Sequence, residues 1–324
     1  MSAACALDLP INESGGPEHT KQALEGKATV THANYSFVST DGTRLVYHVC
    51  GGGPKLVVAA CPGWGVGLNY LVAGFSELYN NGKVTLVVLQ TRGTLPSERP
   101  ADETRMGSRH MAADLDALRI HLGRDRINVF GHSNGAAIAL AYAELFPEHC
   151  SKAVLIDTQV IGYKNFGADI KRALEKRAGD ERYTDAIKTF TDPTKRTWRY
   201  ESDENMTKFL QDILTLYFFD PETNLAEFAD SMGPRLVQFW PSAKQDGPDS
   251  SPEADLVQDL NKITADVLFI SGADDFICSP EMSKMAAEVV GSKARHVVYE
   301  KCGHMPWIEN KDQFYKDVLA FLGA

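Results

Sequence analysis

The sequence predicts an α/β fold: a mostly parallel sheet of eight strands, helices on both faces, and a helical cap inserted after the sixth strand. Three observations lead there. Continuous apolar runs, residues 55–60 and 84–89 above all, suit strands buried on both faces of a parallel sheet. These runs alternate with segments of helical spacing, the pattern of βαβ units. Between residues 160 and 261 the alternation stops, and it resumes from there to the C-terminus.

Residues 1–30 carry Pro10, Gly15-Gly16-Pro17 and many polar side chains, and read as an N-terminal extension ordered only where it packs on the body. The first part of the core is residues 31–159. Residues 34–38 and 44–50 alternate apolar and polar around Asp41-Gly42, which predicts an antiparallel hairpin. Strands 55–60 and 84–89 flank a helix over 68–79. Met111, Leu115, Leu118 and Leu122 make one stripe of a helix over 106–122. Strand 127–130, helix 133–145 and strand 152–157 follow. The cap, residues 160–261, opens with a charged helical stretch at 166–190. Within it Met206, Phe209, Leu210, Ile213, Leu214 and Tyr217 recur at three and four residues, and residues 245–252 have the composition of a loop. The second part of the core, residues 262–324, supplies strands 267–271 and 296–300 and helices 281–290 and 311–322.

Composition narrows the function. A net charge of −10 disfavours nucleic acid and anionic membrane surfaces as partners. No apolar run is long enough to cross a bilayer, and the first ten residues lack the basic start of a signal peptide. The six cysteines form no Cys-x-x-Cys pair, so reduced thiols in a cytoplasmic setting are expected. With no zinc-ligand spacing and no Gly-rich phosphate loop, the expectation is a small-molecule substrate and neither metal nor cofactor.

The chemistry centres on Gly131-His132-Ser133-Asn134-Gly135, set between a β-branched run and a small apolar helix. This is the pattern of a nucleophile elbow, with Ser133 at the apex and the Asn134 amide turned toward a developing oxyanion. A nucleophilic serine needs a base, and the base an orienting acid, both at the carboxyl ends of strands. Gly272-Ala273-Asp274-Asp275 follows one such strand, and Lys301-Cys302-Gly303-His304-Met305-Pro306 follows another. His304 is the candidate base. Asp274 and Asp275 both remain open as its partner, the other capping the next segment. His132 is turned away from Ser133 by the elbow. In the loop Cys61-Pro62-Gly63-Trp64-Gly65-Val66-Gly67, Pro62 has no amide to give, which leaves Trp64 as the second oxyanion donor. Phe209, Ile213 and Tyr217 are candidate lining for a hydrophobic pocket under the cap, with simple packing as the alternative.

Over roughly residues 34–324 these pieces resemble the α/β-hydrolase fold superfamily. The resemblance rests on the elbow with Phe146-Pro147-Glu148 behind it, on Gly303-His304-Met305-Pro306 with Glu309, on Gln90-Thr91-Arg92-Gly93-Thr94-Leu95-Pro96-Ser97, and on the acid turn. It implies a Ser133, Asp275, His304 triad, since the family's acid falls at the third residue after the glycine. The loop from Cys61 to Gly67 is similar to that of proline iminopeptidases, with proline and glycine departures. A serine at the elbow, where epoxide hydrolases and haloalkane dehalogenases have aspartate, argues against both of those. The reading is a serine hydrolase of an ester, lactone or related acyl bond. An iminopeptidase is the first alternative, with Glu201, Asp203, Glu204 and Glu227 as candidate holders of a substrate ammonium group. A carbon–carbon bond hydrolase and a slow-turnover receptor are the others.

Overall fold

The computed structural model describes residues 6–27 and 32–324; residues 1–5 and 28–31, part of the stretch read as an N-terminal extension, lie outside the described residues. Among the described residues nine strands form one sheet: β1 (Ile11–Asn12), β2 (Ala33–Val38), β3 (Arg44–Gly51), β4 (Lys55–Ala60), β5 (Val84–Gln90), β6 (Ile127–His132), β7 (Cys150–Ile156), β8 (Asp266–Gly272) and β9 (Ala294–Tyr299). Their order is β1-β2-β3-β5-β4-β6-β7-β8-β9. The β2–β3 and β3–β5 pairs are antiparallel and the other pairs parallel.

The strand beyond the eight predicted is β1, inside the extension. Two residues carry no periodicity, so a pattern search passes over it. Hydrogen bonds hold it instead: Asn12 Nδ2 donates to Asn34 O at 3.1 Å, and Asn34 Nδ2 donates to Ala6 O and Leu9 O at 2.8 and 3.0 Å.

Helices α1 (Gly16–Leu24), α2 (Asn69–Gly74), α3 (Ser76–Asn80), α4 (Ser108–His121) and α5 (Asn134–Leu145) precede β7. The single helix predicted over 68–79 is broken at Phe75 into α2 and α3. Between β7 and β8 lie α6 (Phe166–Arg177), α7 (Thr184–Thr191), α8 (Pro193–Trp198), α9 (Asp203–Ile213), α10 (Pro221–Met232) and α11 (Phe239–Asp249). Helices α12 (Pro280–Val290), α13 (Pro306–Glu309) and α14 (Lys311–Leu322) complete the chain.

The loop expected at residues 245–252 is corrected by α11, which runs through Gly247 and Pro248 to Asp249. Packing overrides composition here. Gln245 and Asp249 share one helical face, bond each other at 2.9 Å and dock on the start of α4, where Asp249 accepts from Ser108 N and Oγ, each at 2.7 Å.

Each sheet face has its own core. Leu115, Leu118, Val129, Leu140 and Met282 lie in one, Leu71, Phe75, Phe130, Trp307 and Phe314 in the other. Helix α5 is buried on nearly every side, which is why its sequence shows no polar face. The chain leaves β4 for β5 on one side, while β6 lies on β4's other side. That reversal of strand order opens a crevice at the carboxyl ends of β4 and β6.

Candidate active site

The turn between β6 and α5 is built by close approach. Ser133 has φ 57° and ψ −121°, a strained backbone for a residue with a Cβ. A Cβ on Gly131 would overlap the Gly135 carbonyl and Ala136 Cα, and one on Gly135 would overlap the Ala60 carbonyl of β4. The Ser133 amide donates to Ile156 O at 2.9 Å, tying the apex to β7 as well. The Asn134 amide is the first of α5 and has no carbonyl four residues back to take it.

His304 and Asp275 meet. His304 Nδ1 donates to Asp275 Oδ2 at 2.6 Å, and both residues are buried, at 2% and 4% exposure. The other Asp275 oxygen accepts from the amides of Ile277 and Cys278 at 2.9 and 3.2 Å. Asp274 points elsewhere, its carboxylate paired with Lys176 of α6. Of the two acids the sequence left open, Asp275 is the one against His304. The acid turn and the histidine loop are locked together: Asp274 N donates to Cys302 O at 2.8 Å, and a Cβ on Gly272 would overlap the Gly303 carbonyl. Glu309 fixes the same loop from behind, accepting from Gly303 N at 2.6 Å and from Phe219 N and Asp220 N at 2.9 Å each. His304 N donates to Tyr217 O at 2.7 Å, and the Tyr217 ring stands edge-on to the imidazole, with ring centroids 5.2 Å apart.

The Ser133 side chain lies beside the Cys278 thiol. Cys278 Sγ, an Asp275 oxygen and a His304 ring nitrogen lie within 4.8 Å of one another. Imidazole, carboxylate and thiol therefore form one buried cluster, with the half-buried Ser133 beside it.

Three members of that cluster escaped the sequence reading. Cys278 carried no signal, being one scattered cysteine among six. His132 donates through Nε2 to His304 O at 2.8 Å and accepts from the Tyr70 hydroxyl at 3.2 Å, so it supports the histidine loop from below. Burial, reinforced by His304, holds its imidazole well below the usual range, hence neutral. Asp157, taken in the sequence as the last residue of a strand, stands just past β7 with φ 43° and no exposure. One of its oxygens, Oδ1, accepts from Gly272 N at 2.8 Å, while Oδ2 is buried without a partner. Burial first, and then the Asp275 charge, push this carboxyl well above the ordinary carboxylate range. A polar residue closing an apolar strand beside the elbow was the signal available in the sequence.

Trp64 lies half-buried in the turn after β4. The Gly63 amide before it is taken by Asn134 Oδ1 at 2.8 Å, and Gly65 O accepts from Gln238 N at 3.1 Å. Asn134 Nδ2 in turn donates to Gln159 at 2.9 Å. Trp64, Gln159, Tyr163, Phe166, Asp246 and Asp249 line a cavity of about 180 Å³. A second, of about 710 Å³, opens between α4 and α11 beside His110, Lys244 and Glu253. Phe209 and Ile213 are fully buried with Tyr183 and Leu216 of the helical insertion, packed against Phe276 after β8, and line neither cavity. Tyr217 differs from them through its contact with His304. Glu201, Asp203, Glu204 and Glu227 also line neither cavity.

Comparison with known proteins agrees with this architecture. Residues 57–311 match the family model described as alpha/beta hydrolase fold. A 2-hydroxy-6-oxo-2,4-heptadienoate hydrolase of Pseudomonas putida is 26% identical over 225 residues, 66% of this chain and 68% of that one. A proline iminopeptidase of Xylella fastidiosa is 33% identical over 118 residues, 36% of each chain. Among solved structures, an esterase from Exiguobacterium antarcticum superposes with a TM-score of 0.66 at 19% identity, covering 89% of this chain and 99% of that one. The chain belongs to the alpha/beta hydrolase fold family and is a hydrolase of that fold.

Proposed function

We propose that this member of the family is a serine hydrolase acting through an acyl-enzyme on an ester, lactone or related acyl bond of a small molecule. The 2.6 Å contact between His304 and Asp275, next to the elbow that holds Ser133, carries the reading. His304 takes the Ser133 proton as the oxygen attacks the acyl carbon, and Asp275 steadies the imidazolium that forms. The same imidazole then protonates the leaving group and activates water against the acyl-enzyme. The Asn134 amide, free at the start of α5, and the Trp64 amide, next to the one that Asn134 Oδ1 occupies, receive the oxyanion. Each such donor is worth about 3 kcal/mol of barrier. Ser133→Ala should abolish both labelling by a fluorophosphonate probe and turnover of short p-nitrophenyl esters. Unchanged labelling of that variant overturns the assignment.

A second reading has its own observation. Asp246 and Asp249 line the small cavity with Trp64; the Asp249 carboxylate is taken by Ser108 and Gln245, which leaves Asp246 as the acid for the ammonium group of a peptide N-terminus. One relative is a proline iminopeptidase. Release of a fluorophore from prolyl-arylamides, set against ester turnover by the same sample, decides between them.

A further inference from the structure

At the opposite end of the sheet a different set of side chains converges. His48 and Cys50 alternate on β3 and so share a face, and the β2–β3 register that pairs Ala33 with Val49 carries His32 opposite Cys50. One ligand atom from each of His32, His48 and Cys50 lies within 4.8 Å of the other two. Cys50 pairs with Leu86 near the start of β5, whereas the elbow and the histidine loop follow strand C-termini. This trio is therefore remote from the candidate active site.

The orientation of the trio is set by its surroundings. Asn34 Nδ2 is committed to two backbone carbonyls, so Asn34 Oδ1 faces the His48 ring and accepts from His48 Nδ1 at 2.7 Å. Metal-binding histidines characteristically have this outer support, which leaves the second nitrogen's lone pair outward. Here that nitrogen, His48 Nε2, stands 2.9 Å from His32 Nδ1. His48 and Cys50 are fully buried, and His32 is exposed, leaving an approach from solvent.

We propose that His32, His48 and Cys50 form a binding site for a borderline-soft divalent cation of the zinc type. Two imidazoles and one thiolate suit such an ion, with the solvent side of His32 left for a water. With metal–nitrogen bonds of about 2.0 Å, tetrahedral ligation sets the two nitrogens about 3.3 Å apart, so the histidine pair opens by a few tenths of an ångström. On binding, the His32–His48 hydrogen bond is replaced by two metal–nitrogen bonds, and the His32 proton moves to its other ring nitrogen. The Cys50 thiol proton leaves to solvent, so one proton is released per ion bound. The ion would tie β2 to β3 and raise stability while leaving turnover alone.

The test uses the full chain, stripped with chelator and titrated with Co²⁺ and Zn²⁺. The expected result is one equivalent bound, with the thiolate-to-cobalt charge-transfer band of a four-coordinate site and a higher melting temperature with Zn²⁺. His32→Ala, at an exposed position, should weaken binding at least about 100-fold and abolish the thermal shift with ester turnover unchanged. Cys50→Ser should remove the band. His304→Ala and Cys278→Ser should bind as the parent does, which separates this site from the cysteine and histidine beside Ser133. Absence of binding by the parent, binding indifferent to His32→Ala, or binding lost with His304→Ala overturns the proposal.

Discussion

The turns after β7 and β8 present the same residue at the same level of the sheet, and their surroundings treat it in opposite ways. Asp157 follows β7 and Asp275 follows β8, on neighbouring parallel strands in which Ile156 pairs with Ile270. Both side chains are buried. Asp275 receives three donors on its two oxygens: the His304 imidazole and two amides of its own turn. Asp157 receives one, from Gly272, and its second oxygen has no partner. With Asp275 close by, a proton on Asp157 turns that orphaned oxygen into a donor, and burial together with the neighbouring charge favours the protonated form. Donor count separates the two carboxyls, three donors on Asp275 against one on Asp157.

The largest effect should come from removing the better-served acid. Asp275→Asn keeps the shape of the turn but offers the imidazole the wrong partner, and kcat on a p-nitrophenyl ester should fall about 10⁴-fold with little change in melting temperature. Asp157→Asn replaces a neutral acid by a neutral amide of the same shape, so its kcat should fall less than about 10-fold. If the two losses are equal, or their order is reversed, the contrast between the turns is wrong.

A third buried carboxyl calibrates burial without a catalytic neighbour. Glu144, on α5, is pushed by burial to about 8, against the opposing pull of Arg109. Because the folded-state value is raised, its contribution to stability is complete below pH 4.5 and is lost as pH rises through about 8. Urea unfolding should therefore show a loss of roughly a few kcal/mol between pH 5 and pH 9, and Glu144→Gln should flatten that slope.

The core was legible because its strands are long and buried on both faces. Residues 55–60 read as a strand and fold as Lys55–Ala60, and helix 311–322 is Lys311–Leu322. Ser133 and His304 could be found because glycines mark the places where backbones touch. What stayed hidden was set by contacts between distant segments. Asn34 makes β1, the dock on Ser108 carries α11 through Gly247-Pro248, and Asp157 acquires its character from a turn more than a hundred residues away. His32, His48 and Cys50 have no metal-ligand spacing in the chain, since strand register and not sequence distance brings them together.

Glu309 has a consequence for anyone who would change what this protein binds. Its carboxylate holds the amide of Gly303 beside His304 and, at the same time, the amides of Phe219 and Asp220 within the insertion, while Tyr217 O takes the His304 amide. A graft that exchanged residues between β7 and β8 for a foreign segment would have to return two free amides to Glu309 and one carbonyl to His304. A transplanted segment lacking them would import a new pocket and misplace the imidazole meant to serve it.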